Sequence, residues 1–106
     1  MTESEFNTLV DETFEALQAS LDNSSADLDC DDSGGVLTVE FENDTSMVFS
    51  RQPATRQLWL AARSGGFHFE YDAVAGDWRG TRDGQLLRPF VIAQMREQAA
   101  VELDWS

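Results

Sequence analysis

The sequence contains no lysine, one cysteine and one histidine, and each shortage excludes a kind of site. A single cysteine, Cys30, allows no disulfide within the chain, which is typical of a reducing compartment. One cysteine and one histidine cannot supply the ligands of a zinc cage. His68 alternates with Phe67 and Phe69, so we expect it on the outer face as a surface residue. Alternation with Leu28 predicts that Cys30 points into the core as a small buried hydrophobe.

Long hydrophobic runs are also missing, since no apolar stretch approaches the roughly 18 residues that cross a membrane. The first residues, MTESEFNTLV, lack the basic segment of a signal peptide. The sequence has no phosphate-binding loop, no nucleotide-binding glycine turn and no catalytic triad. It therefore predicts a cytoplasmic protein that does not enter membranes and is not itself an enzyme.

Charge of one sign dominates the chain, which has a formal net charge of −13 over 106 residues. Residues 1–50 carry thirteen acidic residues and no basic one, whereas residues 51–106 carry seven acidic residues and seven arginines. This surplus argues against nucleic acid and anionic membranes as partners. Metal cations and basic protein surfaces are the natural alternatives.

The hydrophobic pattern predicts one domain, residues 1–106, with helices at both ends. Apolar residues recur at three- and four-residue steps over residues 3–22, and Thr2 with Glu5 fits a capping box. From residue 26 the period is two, and a helical period returns near residue 88, with Pro89 in the first turn. The sequence therefore predicts an α+β two-layer sandwich. Its antiparallel sheet of five to six strands carries the N- and C-terminal helices on one face.

The segment DCDDSGGVLTVE, residues 29–40, comes close to the calcium loop of an EF-hand. An EF-hand needs a helix on each side, but the segment that follows alternates with the period of a strand. Glu40 then lies in mid-strand and is set aside as a ligand. The preceding acids form a row, spaced about 6.7 Å apart on one face, which favours weak sites for hard cations. This row consists of Asp27, Asp29 and Asp31.

A second set of acids lies on the predicted N-terminal helix. At 100° per residue, Asp11, Glu15 and Asp22 share one stripe with Gln18, away from the apolar face. The acids of the helix and the strand could equally be a solvated charged face that discourages edge pairing. The absence of any base in residues 1–50 weakens that alternative.

The segment QLWLAA, residues 57–62, places one tryptophan between two leucines. On a strand, Trp59 points to the face opposite Leu58 and Leu60. If the leucines pack under the helices, Trp59 lies on the outer face with Gln57. An exposed tryptophan on a polar sheet face is a plausible hot spot for a protein partner.

Several segments together resemble the bacterial frataxin (CyaY) family. They are DLDCDDSGGVLTVEFEN, the pair RQ at residues 51–52, QLWLAARSGGFHFEY and the DW…DG segment at residues 77–84. The resemblance implies an iron-binding protein of iron–sulfur cluster assembly, which binds the cysteine desulfurase and the scaffold protein and regulates or supplies iron to them. It implies several weakly bound Fe²⁺ or Fe³⁺ ions and a monomer in the absence of iron. Oxidation of carboxylate-bound iron is expected at most as a side activity. The implied iron ridge consists of Asp11, Asp22, Asp27, Asp29 and Asp31, with Glu12 and Glu15 added by proximity, and the implied partner face carries Gln57 and Trp59.

A metal-independent interpretation also fits the residues. In that alternative the chain is an acidic protein-interaction module whose carboxylates mimic an anionic surface and bind a basic partner directly. The two hypotheses differ in whether Fe³⁺ or Mn²⁺ binds along residues 11–32.

Overall fold

A computed structural model describes residues 1–105 and confirms the predicted α+β sandwich. The six strands form one antiparallel sheet in sequence order, β1-β2-β3-β4-β5-β6, and both helices pack on one face of it. No helix within residues 1–105 is long and apolar enough to cross a membrane. The elements are α1 (Glu3–Asp22), β1 (Leu28–Ser33), β2 (Val36–Phe41), β3 (Ser46–Gln52), β4 (Gln57–Ala62), β5 (Gly65–Asp72), β6 (Asp77–Gly80) and α2 (Leu87–Ala99).

Helix α1 begins with the predicted capping box. The hydroxyl of Thr2 accepts a hydrogen bond from the Glu5 amide at 3.1 Å, and the Glu5 carboxylate accepts one from the Thr2 amide at 2.9 Å. These bonds satisfy two of the amides that a helix start leaves unpaired. The buried face of α1 consists of Phe6, Val10, Phe14, Leu17 and Leu21.

A two-residue glycine turn joins β1 to β2 and fixes their register. Gly34 and Gly35 have φ angles of 63° and 79°, the left-handed values that a type I′ hairpin requires at both positions. Ser33 therefore pairs with Val36, and all earlier pairs of the hairpin follow from that register.

The two glycines of this turn should differ in their tolerance of alanine. A Cβ on Gly34 would meet nothing within 4 Å, whereas one on Gly35 would lie 3.2 Å from Cγ and Cδ of Arg51. We expect Gly34→Ala to cost about 1 kcal/mol from backbone strain alone, and Gly35→Ala about 2 kcal/mol. Urea unfolding of both variants measures the difference. Equal losses would mean that Arg51 moves aside freely.

Helix α2 starts without a side-chain cap from its own N-terminal residue. The buried carboxylate of Asp77, which lies in β6, caps the first turn of the helix instead. It accepts hydrogen bonds from the Arg88 amide at 3.1 Å and the Trp78 amide at 2.8 Å, and it forms an ion pair with Arg88 Nε at 3.3 Å. Asp77 therefore connects the last strand to the first turn of α2.

The segment after α2 packs as an extended strip against the core. Its alternate residues Val101, Leu103 and Trp105 are each 6% exposed, while Glu102 and Asp104 face solvent. Helix α2 ends at Ala99, and the C-cap residue Ala100, with a left-handed φ of 54°, turns the chain into this strip. The strip extends the apolar cover beyond the two helices.

Candidate functional site

Strand β1 is an edge of the sheet and carries most of the predicted strand acids. In the part of the chain that the structure describes, it pairs only with β2. Leu28 is half-buried and the other five residues are exposed. The strand begins at Leu28, so Asp27 lies in the connection before it and only Asp29 and Asp31 of the predicted row belong to β1 itself.

The hairpin register places Asp29 and Asp31 on the outer face of the sheet, away from the helices. Asp29 pairs with Glu40 and Asp31 with Thr38, while their neighbours on β2 are buried in the core. Glu40 is therefore directly opposite Asp29, although its mid-strand position had excluded it as a predicted ligand. We call Asp29, Asp31 and Glu40 the hairpin acids.

The helix-facing side of β1 carries different residues, Cys30 and Asp32. Gln18 on the predicted acidic stripe of α1 donates a hydrogen bond from Nε2 to Asp32 Oδ2 at 3.4 Å. The charge of Asp22, at the end of α1, acts on the Cys30 thiol. The acidic stripe of α1 therefore contacts β1 at Asp32, a residue that the sequence did not predict as part of the site. Asp29 and Asp31 of the predicted row thus share the outer face, and Asp32 adds a carboxylate on the helix side of the strand.

The prediction that Cys30 is buried was wrong, because its side chain is exposed. Its register partner on β2 is buried Val39, so the alternation was right, but β1 is the edge strand and the helices cover that side only partly. Partial burial, followed by the negative charges of Asp22 and Asp29, raises the pKa of the Cys30 thiol. The thiol therefore stays protonated at neutral pH and is a poor nucleophile.

One arginine of the second half of the sequence, Arg51, reaches the acids of α1, so these acids have a base nearby although residues 1–50 contain none. Helix α1 packs over β3, where Phe14 meets Phe49 with ring centroids 6.4 Å apart. From β3, Arg51 reaches α1 and donates from Nη2 to Asp11 Oδ1 at 2.7 Å and from Nη1 to Asn7 Oδ1 at 3.2 Å. Asp11 therefore has an internal partner, whereas Glu15 and Asp22 are exposed without an ion pair among residues 1–105.

The carboxylates are arranged as a surface and not as a cage. Within residues 1–105, no three His, Cys, Asp or Glu side chains lie close enough together to hold one ion. The nearest approach that the register defines is the cross-strand pair Asp29 and Glu40, whose Cβ atoms are about 5 Å apart in such a pair. Like charges at that spacing repel, and a shared hard cation would relieve the repulsion.

The outer face of β4 and β5 carries an aromatic stack. Leu58 and Leu60 are buried at 0% and 1% exposure, so Trp59 points outward, as predicted. Its ring stacks on His68 with centroids 4.1 Å apart and planes 7° from parallel. Trp59 Nε1 donates to Gln57 Oε1 at 2.8 Å. His68 is exposed, as expected. Its stacking on Trp59 was not predicted, because it depends on the register of β4 with β5.

The sequence and the fold of this chain are similar to those of known proteins. The family described as Frataxin-like domain matches residues 1–101. The chain belongs to the frataxin family. It is 48% identical over 106 residues to the "Iron-sulfur cluster assembly protein CyaY" of Pseudomonas syringae pv. syringae (strain B728a), with 100% of this chain and 96% of that protein covered. It is 45% identical over 105 residues to the protein of the same name from Pseudomonas fluorescens (strain SBW25), with 99% and 96% covered.

Solved frataxins have the same fold. The frataxin from Psychromonas ingrahamii superposes with a TM-score of 0.92 at 34% identity, covering 100% of this chain and 99% of that one. A trimeric frataxin from the yeast Saccharomyces cerevisiae, complexed with ferrous iron, gives a TM-score of 0.59 at 26% identity, covering 94% and 88%. The acidic edge and the aromatic stack of this chain therefore lie on a scaffold that solved frataxins share.

Proposed function

We propose that this chain acts in iron–sulfur cluster assembly by binding iron weakly and docking on a basic surface of the cysteine desulfurase and the scaffold protein. The observation that carries the proposal is the edge strand β1, whose two faces both expose carboxylates. Support comes from the names of the bacterial relatives and from the ferrous complex of the yeast frataxin. In this proposal the chain is cytoplasmic, is monomeric without iron, and catalyses no step alone.

Iron in this proposal is cargo that is held loosely and can leave again. The carboxylate oxygens match the preference of Fe²⁺ and Fe³⁺ for hard ligands. Because no group of three ligands forms among residues 1–105, each ion would keep most of its water and bind through one or two carboxylates. Several weak ions along Asp22, Asp27 and the hairpin acids fit this arrangement better than one tight ion.

Partner binding would use two surfaces with different dependence on salt. The carboxylates of α1 and β1 would attract a basic surface and accelerate the encounter, an effect that salt screens. The outer face around Gln57 and Trp59 would supply a contact that is less sensitive to salt. The stack on His68 and the hydrogen bond to Gln57 fix the orientation of the Trp59 ring, so the ring needs little rearrangement to contact a partner.

The metal-independent module remains the second candidate, because the acids form no group of three that could enclose an ion among residues 1–105. In that case the carboxylates would bind basic side chains of the partner directly. The two candidates differ in whether iron changes partner binding.

Desulfurase turnover separates the candidates. We expect this protein to change the turnover rate of a purified cysteine desulfurase, and the change to be larger with Fe²⁺ than without it. The Trp59→Ala variant should weaken the effect at both low and high salt, because it removes the contact that salt does not screen. An effect that is identical with and without Fe²⁺ would favour the metal-independent module. No effect under either condition would contradict both candidates.

A further inference from the structure

We infer that Arg51 acts as a tethered counter-ion that occupies Asp11 and so decides where on the acidic surface a cation binds. Asp11, a predicted iron ligand, is then withheld, and cations bind at the hairpin acids. The inference rests on the proposed cation binding, and it adds a residue that selects between two ends of the same surface.

The contacts of Arg51 are those of a fixed side chain. Its two terminal nitrogens reach Asp11 and Asn7, residues one helical turn apart on α1. Its guanidinium carbon lies 5.6 Å from the centroid of the Phe14 ring, within range of a cation–π interaction. Its stem passes under Gly35, whose absent Cβ leaves the space that the stem fills.

Burial distinguishes this arginine from the arginines of the other ion pairs. The Arg51 side chain is 18% exposed, against 46% for Arg79, 33% for Arg88 and 60% for Arg96. The Arg51 backbone amide also donates to Gly35 O at 3.2 Å, which ties β3 to the β1–β2 turn. A side chain enclosed in this way loses little entropy when it pairs with Asp11, so the ion pair persists.

The electrostatic consequence differs between the two ends of the surface. A cation approaching Asp11 meets the guanidinium that already neutralises this carboxylate, so its net attraction is small. The hairpin acids Asp29, Asp31 and Glu40 form no ion pair with any residue among 1–105. Asp29 and Glu40 also repel one another across the hairpin. A cation therefore gains more at the hairpin than at Asp11.

Residue-resolved paramagnetic broadening by Mn²⁺ tests the inference. In the wild-type chain, the amides of the hairpin acids should broaden at lower Mn²⁺ concentration than the amide of Asp11. In Arg51→Met, which keeps an apolar stem but removes the charge, broadening at residues 7–15 should appear at about fivefold lower Mn²⁺ than in wild type. Arg96→Met is the matched control, since it removes one arginine from an ion pair on α2 and should leave the wild-type order unchanged.

The Mn²⁺ titrations have three outcomes that count against the inference or against the cation binding on which it rests. Equal broadening of Asp11 and the hairpin acids in wild type, or an Arg51→Met pattern identical to that of Arg96→Met, overturns the inference. If wild type shows no broadening at all, the proposed cation binding fails. In that case, broadening near Asp11 that occurs only in Arg51→Met still supports the role of Arg51. If neither wild type nor Arg51→Met shows broadening, the role of Arg51 is overturned as well.

A second pair of variants covers the event that Arg51→Met does not fold. Asp11→Asn and Asp29→Asn each remove one exposed carboxylate charge without adding bulk. If Arg51 withholds Asp11, Asp11→Asn should change the apparent Mn²⁺ affinity by less than twofold, and Asp29→Asn should weaken it about fivefold. Equal weakening by the two substitutions overturns the inference.

Discussion

Replacing Asp27, Asp29 and Asp31 together by lysine is expected to abolish iron binding and the effect on the desulfurase while leaving the fold intact. The three substitutions raise the formal net charge from −13 to −7 and place cations where both iron and a basic partner would bind. All three side chains are exposed, so no packing is lost. Relief of repulsion at the sheet edge should raise the free energy of unfolding by about 1 kcal/mol.

Three measurements check this result: Mn²⁺ broadening, desulfurase turnover, and thermal unfolding followed by circular dichroism. The triple asparagine variant separates loss of ligands from reversal of charge, because it should lose iron binding but repel the partner less. Glu97→Lys with Asp104→Lys, two exposed positions on α2 and the C-terminal strip, controls for a general charge effect. Persistent broadening near residue 29, or a collapsed spectrum, would contradict the prediction.

Among all of these substitutions, removal of the buried carboxylate of Asp77 should lower the free energy of unfolding the most. Asp77→Ala deletes the acceptor of the Trp78 and Arg88 amides and leaves the Arg88 guanidinium without its carboxylate. Asp77 is 5% exposed and Arg88 about one-third exposed, so we expect a loss near the lower end for a broken buried pair, about 3 kcal/mol. Mn²⁺ binding should be unchanged.

Urea unfolding measures this loss of stability, and two further variants serve as comparisons. Asp77→Asn keeps the shape and one acceptor oxygen, so about 1 to 2 kcal/mol should be lost. Asp104→Ala removes an exposed carboxylate and should fall within about 0.5 kcal/mol of wild type. A cost for Asp77→Ala no greater than that of Asp104→Ala would show that α2 does not depend on this cap.

Local patterns made most of the fold predictable. The helix period and the capping box of Thr2 with Glu5 predicted α1 with its observed bounds, Glu3–Asp22. Alternation predicted the strands and the outward orientation of Trp59. The twin glycines at 34 and 35 would also have allowed the hairpin register to be predicted. That register puts Glu40 opposite Asp29.

Contacts between residues distant in sequence were not predictable in the same way. Arg51 and Asp11 are 40 residues apart, and their ion pair depends on how α1 crosses β3. Asp32 meets Gln18 only because the end of α1 runs alongside β1. Exposure of Cys30 depends on how far the helices extend across the sheet. Alternation assigns the face of a residue but does not say whether that part of the face is covered.

The isolation of β1 at the edge also has a consequence for the dynamics of the molecule. Among residues 1–105 the strands lie side by side in sequence order, so β2 is the one strand that pairs with β1, and the turn at Gly34 and Gly35 joins the two. With five of its six residues exposed, little apolar burial opposes its opening. Local opening of β1 should therefore require far less free energy than global unfolding, and its amides should exchange with solvent early. The charged strand is thus also the least protected one, whose opening a bound ion or partner would suppress.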